Sequence, residues 1–423
     1  MIKIISEGNC AERAAKIIDD IRKAVSTEFV LALGATEISD LDNISAAGAD
    51  AASRRLTPQL DAEALLGDGT ASGATLPSSP AGVTSPVVLT RAALSKIVHT
   101  LQIVDCGTFA APALAPVSSS LAPTALEGKQ NQVAPRYISL GGRPARLFTQ
   151  TESLDLTLVE MLFNRGLAMG QEERSQKTLT ALAECVPGGT TTALGVLKLL
   201  GVEADNLLSS SIQGTRASGK ALLVKEALDN LGQRLKINRT DLVANCLRRP
   251  LLAVAYAGDP MQAFACGFVI GRLLAAGKEA ASADSLNDTP QPIILAGGSQ
   301  MLAVYALVRA MATADGAQGK KLTALLERHL IVITTKWVAF DPFADTKKLA
   351  ELIDAPYVAA CPDFSSSGHA GLRAYEEGHV KEGVGAGAAM ALALLMGTEE
   401  SALVDSIDRF YEQMTMTTAY PCR

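Results

Sequence analysis

The 423-residue chain has few charged side chains and very few aromatic ones. Charged residues make up 19% of the sequence and aromatic residues 4%, with one tryptophan and four histidines. The charged share lies below the roughly 25% of ordinary globular proteins, while hydrophobic residues reach 48%. Much of the chain must therefore be buried inside itself or against a partner subunit, which favours a homo-oligomer.

Positive charge is not concentrated in any part of the sequence. The formal net charge is -6 and Lys and Arg are scattered, so no basic stripe exists and nucleic acid is not an expected partner. Residues 1–9 lack a long apolar run, which indicates no secretory signal and favours a cytoplasmic protein. Stretches 292–314 and 383–397 are interrupted by polar residues or too short to cross about 30 Å of hydrocarbon. We therefore expect no membrane partner.

The seven cysteines show neither CxxC pairs nor histidines at metal-ligand spacing. This pattern predicts reduced, mostly buried thiols. No stretch carries the paired acidic residues and Thr-Gly loop with which pyrophosphate-sugar transferases hold magnesium. The sequence therefore predicts a site without a metal and without another cofactor.

Short apolar runs bounded by turn signals recur along the chain and alternate with helical patterns. The runs are residues 28–34, 251–257, 292–296, 330–335 and 356–360. Strands that alternate with helices predict an α/β fold with a Rossmann-like parallel sheet flanked by helices and ligands at the carboxyl ends of the strands. A long helical pattern covers about 153–185 and places Glu184 at a helix end or in a loop.

Composition also predicts how the chain is divided. Residues 1–110 form an N-terminal α/β part, and residues 111–135, rich in Ala, Pro and Ser, form a mobile insert. Residues 136–400 are the main nucleotide-binding body, and residues 401–423 a C-terminal helix and tail. The N- and C-terminal segments together contribute a smaller, mostly helical region.

The most informative motif runs from Glu184 through Gly188 and Gly189 to Thr190, Thr191 and Thr192, and leads into an apolar helix. Glycines allow a tight turn and close approach of a ligand, threonine can cap the helix, and the first helical N–H groups favour a phosphate. An ordinary capped helix after a turn is the alternative. The lysine of a Walker loop is missing, so the motif predicts an anion cradle beside a carboxylate.

Two further glycine-containing segments are candidates for ligand contact. Gly297, Gly298 and Ser299 follow a predicted strand and either bind a ligand through N–H groups and a hydroxyl or make a tight turn. Gly383 and Gly385 precede an apolar helix, but the third glycine of the motif comes too early for a dinucleotide fingerprint; close helix packing is the alternative.

Side chains near these glycines could take part in chemistry. Glu382 could face the pocket as a general base, or be a solvated loop residue. His369, which follows the serines Ser366 and Ser367, is either a functional or a structural histidine.

Together these segments resemble the nicotinate-nucleotide:dimethylbenzimidazole phosphoribosyltransferase family, in its divergent archaeal and cyanobacterial branch. The resemblance covers about residues 150–397, and the N-terminal part matches only that branch. The matching segments are 184–193, 212–215 followed by 220–228, 258–263, 294–301, 365–369 and 383–389.

The resemblance implies transfer of the phosphoribosyl group of nicotinate mononucleotide to a cobamide lower-ligand base, which releases nicotinate and forms an α-riboside phosphate. A homodimer is usual in the family. Glu184 and Glu382 are the implied catalytic carboxylates, and Ser366, Ser367 and His369 the implied base-binding residues. The implied phosphate and nucleotide site comprises Gly188, Gly189, Thr190, Thr191, Thr192, Gly214, Thr215, Gly297, Gly298, Ser299, Gly383 and Gly385.

One departure from the family pattern bears on the mechanism. The better-known branch has a glutamate between the first two glycines of the C-terminal signature, and it is regarded as the base, whereas this chain has Val384. Glu382 could take its place, Glu184 could act alone, or the activity could have changed; we hypothesise that Glu382 substitutes. A non-catalytic nucleotide-binding protein and another glycosyl or sugar-phosphate reaction remain alternatives, because a fold does not fix a reaction.

Overall fold

A central sheet with helices on both faces organises the chain. The computed structural model describes residues 1–67, 76–113, 135–174, 177–212, 216–282 and 292–416. Within them, eight strands form one sheet in the order β1-β8-β7-β6-β5-β2-β3-β4; β1 is antiparallel to β8 and all other neighbours are parallel. The strands are β1 (Ile2–Ile4), β2 (Ser26–Leu33), β3 (His99–Asp105), β4 (Arg136–Ser139), β5 (Thr178–Cys185), β6 (Ile293–Ala296), β7 (Leu330–Thr335) and β8 (Tyr357–Ala360).

The side chains of each strand alternate between the two faces of the sheet, so an apolar layer forms on each face. In β2, Val30 and Ala32 belong to one core cluster, whereas Phe29, Leu31 and Leu33 belong to the other, since successive side chains of a strand point to opposite faces. The helices are α1 (Gly8–Lys23), α2 (Ala51–Leu66), α3 (Val87–Leu94), α4 (Leu156–Gly170), α5 (Gly189–Leu199), α6 (Arg216–Leu235), α7 (Arg239–Arg248), α8 (Leu251–Ala257), α9 (Pro260–Ser282), α10 (Ser299–Ala314), α11 (Gly316–His329), α12 (Lys336–Ala339), α13 (Thr346–Leu352), α14 (Ala370–Glu376), α15 (Ala386–Leu395) and α16 (Glu400–Met416).

Helix α9 is the single helix among the described residues that is long and apolar enough to cross a membrane. Its window Pro260–Gly277 has a mean hydropathy of 1.3, and 89% of that window is buried inside the fold. A core helix of a globular protein has the same properties, and α9 packs against α4 in this way.

The predicted α/β fold with a mostly parallel sheet is confirmed, as are the strands predicted at 28–34, 292–296, 330–335 and 356–360. The strand predicted at 251–257 is wrong, because these residues form helix α8, which begins after Pro250. A short apolar run has no periodicity that separates a buried strand from a buried helix.

The prediction of one continuous helix across 153–185 is also wrong. Helix α4 ends at Gly170 and strand β5 begins at Thr178, so Glu184 lies at the end of a central strand and not at a helix end. The apolar residues of both elements merge into one helical pattern in the sequence, but β5 pairs with β2 and β6 on its two sides. Burial on both faces explains its nearly continuous apolar sequence.

The predicted division into parts stays a prediction. Strands β2 and β3 come from residues 1–110 but are neighbours of β5 in the same sheet. Helix α3 of the N-terminal part, α15 of the predicted main body and α16, which begins at Glu400, pack against one another. Of the predicted insert at 111–135, residues 114–134 lie outside the described residues, as do residues 417–423 of the predicted C-terminal tail.

Candidate functional site

A cavity lies at the carboxyl ends of β5 and β6, where a parallel sheet is expected to bind its ligands. It encloses about 930 Å³ of space without atoms, part of it open to solvent. The loops after both strands line it, together with residues 44–48, 77–79, 83, 85, 86, 209–211 and 380–383 and side chains from α2 and α6.

The glycine-threonine motif forms one edge of the cavity at the start of α5. Gly188 has φ 82 and precedes the helix; a Cβ there would lie 2.9 Å from Ile38 Cγ2. Gly188 and Thr190 line the cavity. A Cβ on Gly189 would overlap Oε1 of Gln300, so any other residue there would displace this amide.

The other two threonines of the motif point into the fold. Thr191 and Thr192 are fully buried and are not among the described residues that line the cavity. Thr192 Oγ1 donates a 2.6 Å hydrogen bond to Asp259 Oδ2, whereas Thr191 Oγ1 has no partner among the described residues. The motif thus combines a cavity edge with an internal anchor.

Glu184 lies beside this edge, near the end of β5. It is 4% exposed and lines the cavity, and its Oε2 accepts a 3.1 Å hydrogen bond from the N–H of Val186. Burial, with the nearby carboxylates of Glu382 and Asp259, raises the pKa of Glu184 to about 8. A carboxyl group with a pKa near neutrality suits proton transfer or a response to bound charge.

Glu382 also lines the cavity, but fixed donors surround its carboxylate. Oε2 accepts hydrogen bonds of 2.9 Å from Thr334 Oγ1 and from the N–H of Thr335, and Oε1 accepts 3.2 Å hydrogen bonds from the N–H groups of Gly383 and Gly387. Burial raises the pKa of Glu382 to about 7, although these hydrogen bonds oppose the rise. These bonds engage both oxygens of Glu382 with the end of β7 and the start of α15.

The C-terminal glycine motif is divided between the cavity and the core. Gly383 lines the cavity, whereas Gly385 does not; a Cβ on Gly385 would lie 2.7 Å from Ala183 Cβ. Val384 is 1% exposed and belongs to the core cluster that includes α3 and α15. The position at which the family has its glutamate therefore faces the core in this chain.

The loop after β6 contributes through its second glycine and its serine. Gly298 and Ser299 line the cavity, and Ser299 Oγ donates a 2.9 Å hydrogen bond to the carbonyl oxygen of Ser209. Gly297, with φ 159, is not among the lining residues. The predicted residues Gly214 and Thr215 lie outside the described residues.

Two of the three predicted base-binding residues, Ser367 and His369, lie against α16. Ser367 Oγ donates a 2.5 Å hydrogen bond to Asp408 Oδ1, and the ring of His369 lies 5.1 Å from that of Tyr411, centroid to centroid. Ser366 is exposed. None of these three predicted residues is among the described residues that line the cavity, so the structure does not bring them together with Glu184.

Two buried lysines in the cavity were not predicted as site residues. Lys220 Nζ donates a 2.6 Å hydrogen bond to Ser210 Oγ, and burial with the nearby Lys381 lowers the pKa of Lys220 to about 7. Lys381 Nζ pairs with Asp341 Oδ2 at 2.5 Å. The serine run 209–211 ahead of a helix is the sequence signal for the first lysine, while Lys381 lies in a charged stretch typical of a solvated loop.

A third carboxylate, Asp61 of α2, was also missed. It is 2% exposed, lines the cavity, and its Oδ2 accepts a 3.3 Å hydrogen bond from Cys185 Sγ. Burial raises the pKa of Asp61 to about 7. In the sequence it is an ordinary acidic residue of an amphipathic helix, so no local pattern marks it.

Comparison with solved structures identifies the fold. The chain is similar to a nicotinate-nucleotide-dimethylbenzimidazole phosphoribosyltransferase from Thermus thermophilus, with a TM-score of 0.51 and 15% identity over 94% of this chain and 89% of that one. A structure described as CobT from the same organism gives a TM-score of 0.51 and 14% identity, over 94% of this chain and 90% of that one. The resemblance predicted from the sequence is thus confirmed at the level of the fold.

Sequence comparison identifies the relatives. No family model matches the chain. A UPF0284 protein of Gloeobacter violaceus is 35% identical over 395 residues (93% of this chain, 90% of that protein), and one of Synechocystis is 38% identical over 371 residues (86% and 85%). An archaeal UPF0284 protein, from Saccharolobus solfataricus, is 31% identical over 386 residues (91% and 92%). Because this similarity extends over most of each protein, the chain belongs to the UPF0284 family.

Proposed function

We propose that this protein is a phosphoribosyltransferase that moves the phosphoribosyl group of nicotinate mononucleotide to the lower-ligand base of a cobamide. Nicotinate is released and an α-riboside phosphate forms. The observation that carries the proposal is one cavity that combines a helix N-terminus, two buried lysines and buried carboxylates. The fold shared with the Thermus enzyme supports the reaction class.

The cavity offers several groups for the phosphate. At the start of α5, the N–H groups of Gly189 and Thr191 donate to the carbonyl oxygens of Val186 and Gly188, whereas the N–H of Thr190 has no backbone partner among the described residues. This N–H and the positive end of the helix favour an anion. Burial lowers the pKa of Lys220, and repulsion from the nearby Lys381 lowers it further. A phosphate bound near both ammonium groups removes this repulsion, so we assign the phosphate to the space between α5 and these lysines.

The reaction needs little activation of the leaving group. The nicotinate ring is a cationic pyridinium in the mononucleotide, so the bond from C1′ breaks with its electron pair returning to the ring nitrogen. A ring nitrogen of the incoming base forms the new bond to C1′. Positive charge accumulates at C1′ during transfer. We propose that Glu184, beside the cradle, ionises when the cationic substrate binds and then stabilises this charge electrostatically.

The incoming base must also lose its N–H proton to an acceptor. That Glu382 replaces the missing family glutamate stays a prediction. Its two oxygens already accept four hydrogen bonds from fixed donors, and this geometry favours a role in holding the loop at residues 383–387. Glu382→Gln decides the matter: full turnover of this variant would make the prediction wrong.

The test is release of nicotinate from nicotinate mononucleotide in the presence of benzimidazole, phenol or adenine, measured by chromatography. We expect release that depends on an added base, and a loss of about 10²-fold or more in Glu184→Gln, the usual scale for an electrostatic stabiliser of a transition state. Glu160→Gln, which changes an exposed carboxylate on α4, is the matched control and should leave the rate unchanged.

The alternatives give different results in the same experiment. A non-catalytic nucleotide-binding protein would bind nicotinate mononucleotide in calorimetry but release no nicotinate. Another glycosyl transfer on this scaffold would show no dependence on the three bases. Either outcome would overturn the proposal.

A further inference from the structure

The carboxylate of Asp61 has one oxygen without a hydrogen-bond partner. The residue is 2% exposed and lines the cavity, and Cys185 Sγ donates to its Oδ2, but Oδ1 has no partner among the described residues. An unpaired buried oxygen is costly, so nearly all such oxygens are paired in folded proteins. An unpaired oxygen at the wall of a cavity therefore points to a donor on the ligand.

The surroundings of Asp61 suit a flat aromatic ring. Pro77, Val83 and Pro86 line the same cavity, and Ser85, which lies between two of them in the sequence, is close enough to Asp61 to influence the pKa of its carboxyl group. Apolar walls with a few polar groups are the usual composition of a site that binds an aromatic molecule. This part of the cavity thus offers apolar surface and one acceptor for a hydrogen-bond donor.

Asp61 differs in this respect from the other two carboxylates of the cavity. Glu382 accepts four hydrogen bonds from fixed donors. Glu184 accepts one from Val186 and interacts with Gln300. Val384 faces the core, so no carboxylate arises from the family position. Of these three carboxylates, Asp61 is the one with a buried oxygen that has no hydrogen-bond partner among the described residues.

We propose that Asp61 accepts the N–H proton of an incoming azole base while the other ring nitrogen of that base attacks C1′ of the ribosyl group. The new C1′–N bond forms as the bond to nicotinate breaks, nicotinate leaves with the electron pair, and the proton passes from the azole N–H to Asp61 Oδ1. This inference rests on the proposed function and names its substrate class. In an azole the proton lies on the nitrogen away from C1′, whereas in a phenol it lies on the attacking oxygen itself.

The experiment compares benzimidazole with 1-methylbenzimidazole, which has no N–H proton to lose. We expect Asp61→Asn to lower kcat with benzimidazole by about 10²–10⁴-fold, the usual contribution of a general base, with KM for nicotinate mononucleotide unchanged. With 1-methylbenzimidazole the variant and the wild type should have the same kcat. Glu63→Gln, on the same helix but not among the described cavity residues, is the matched control and should behave as wild type with both bases.

A second variant distinguishes loss of the proton acceptor from a structural effect of the substitution. Asp61→Ala leaves space for a small carboxylate, and added formate should restore part of its turnover with benzimidazole. An equal loss with both bases, or wild-type turnover of Asp61→Asn with benzimidazole, overturns the inference while the proposed function stands. Absence of nicotinate release by the wild type with either base overturns the proposed function and this step with it.

Discussion

The backbone N–H of Val384 donates a 3.0 Å hydrogen bond to the carbonyl oxygen of Glu184. The Thr90 hydroxyl donates a second one, also 3.0 Å, to the carbonyl oxygen of Val384. Val384 has φ 55, in the left-handed region that β-branched residues rarely adopt, and such a conformation costs on the order of 1–3 kcal/mol. The two hydrogen bonds hold the strained residue and so fix the C-terminal glycine loop against the end of β5.

Replacing Val384 by the family glutamate should destabilise the protein. The side chain at this position is 1% exposed in an apolar cluster, so Val384→Glu buries a carboxyl group without partners and should lower the free energy of unfolding by about 3 kcal/mol or more. Val25→Glu, at a position 62% exposed, should change it by less than about 0.5 kcal/mol. Urea unfolding measures both. An unchanged midpoint for Val384→Glu would mean that this side chain can reach the cavity.

A negative charge at Gly189 should weaken binding of the mononucleotide. Gly189→Asp displaces the Gln300 amide, which the glycine accommodates, and places a carboxylate at the proposed phosphate site. We expect the dissociation constant for nicotinate mononucleotide to rise at least about tenfold, which corresponds to about 1.4 kcal/mol, as measured by calorimetry. Gly316→Asp makes the same change at the start of α11, where nothing lies within 4 Å, and should bind normally. Equal affinities of Gly189→Asp and the wild type for the mononucleotide would show that the phosphate does not bind at this loop.

Substitution by valine should affect the stability of the protein differently at the two adjacent threonines, Thr191 and Thr192. Thr192→Val removes the donor to the buried Asp259 and should lower the free energy of unfolding by about 1–3 kcal/mol. Thr191 Oγ1 is buried without a partner among the described residues, so Thr191→Val should be neutral or stabilising. Urea unfolding of the two variants tests this difference, and comparable losses would show that Thr191 has a partner too.

Local sequence patterns predicted the sheet and the cavity edge, since both depend on contiguous residues. The apolar runs of β2, β6, β7 and β8 are recognisable because each strand is buried on both faces. The prediction of a strand at 251–257 was wrong because a buried helix has the same apolar composition as a buried strand. Lys220 and Asp61 were missed since only the fold brings them to one cavity. The site residues, the homodimer, the cytoplasmic location and the absence of nucleic-acid and membrane partners stay predictions.

The buried carboxyl groups should make the unliganded protein less stable as the pH rises from 5 to 7. Burial raises the pKa of Asp61 to about 7, while an aspartate in the unfolded chain has a pKa of about 3.9. Within this interval the folded state retains a proton that the unfolded state has released, so stability falls with increasing pH.

Other groups either add to this trend or act outside the interval. Glu184, Glu382 and Asp259 also have raised pKa values. Asp354 has a lowered pKa and acts at lower pH. Lys220, whose pKa falls to about 7, increases stability only as the pH rises further, because the unfolded lysine then binds the extra proton.

Asp61→Asn removes one of these groups and should reduce the loss of stability between pH 5 and pH 7 by up to about 3 kcal/mol, since one proton over two pH units corresponds to about that free energy. Urea unfolding at the two pH values measures the loss in the wild type and the variant. Glu160→Gln, with its exposed side chain, should match the wild type at both. An identical pH dependence in Asp61→Asn would mean that Asp61 is ionised in the folded protein at pH 5, which burial without a full set of hydrogen-bond partners opposes.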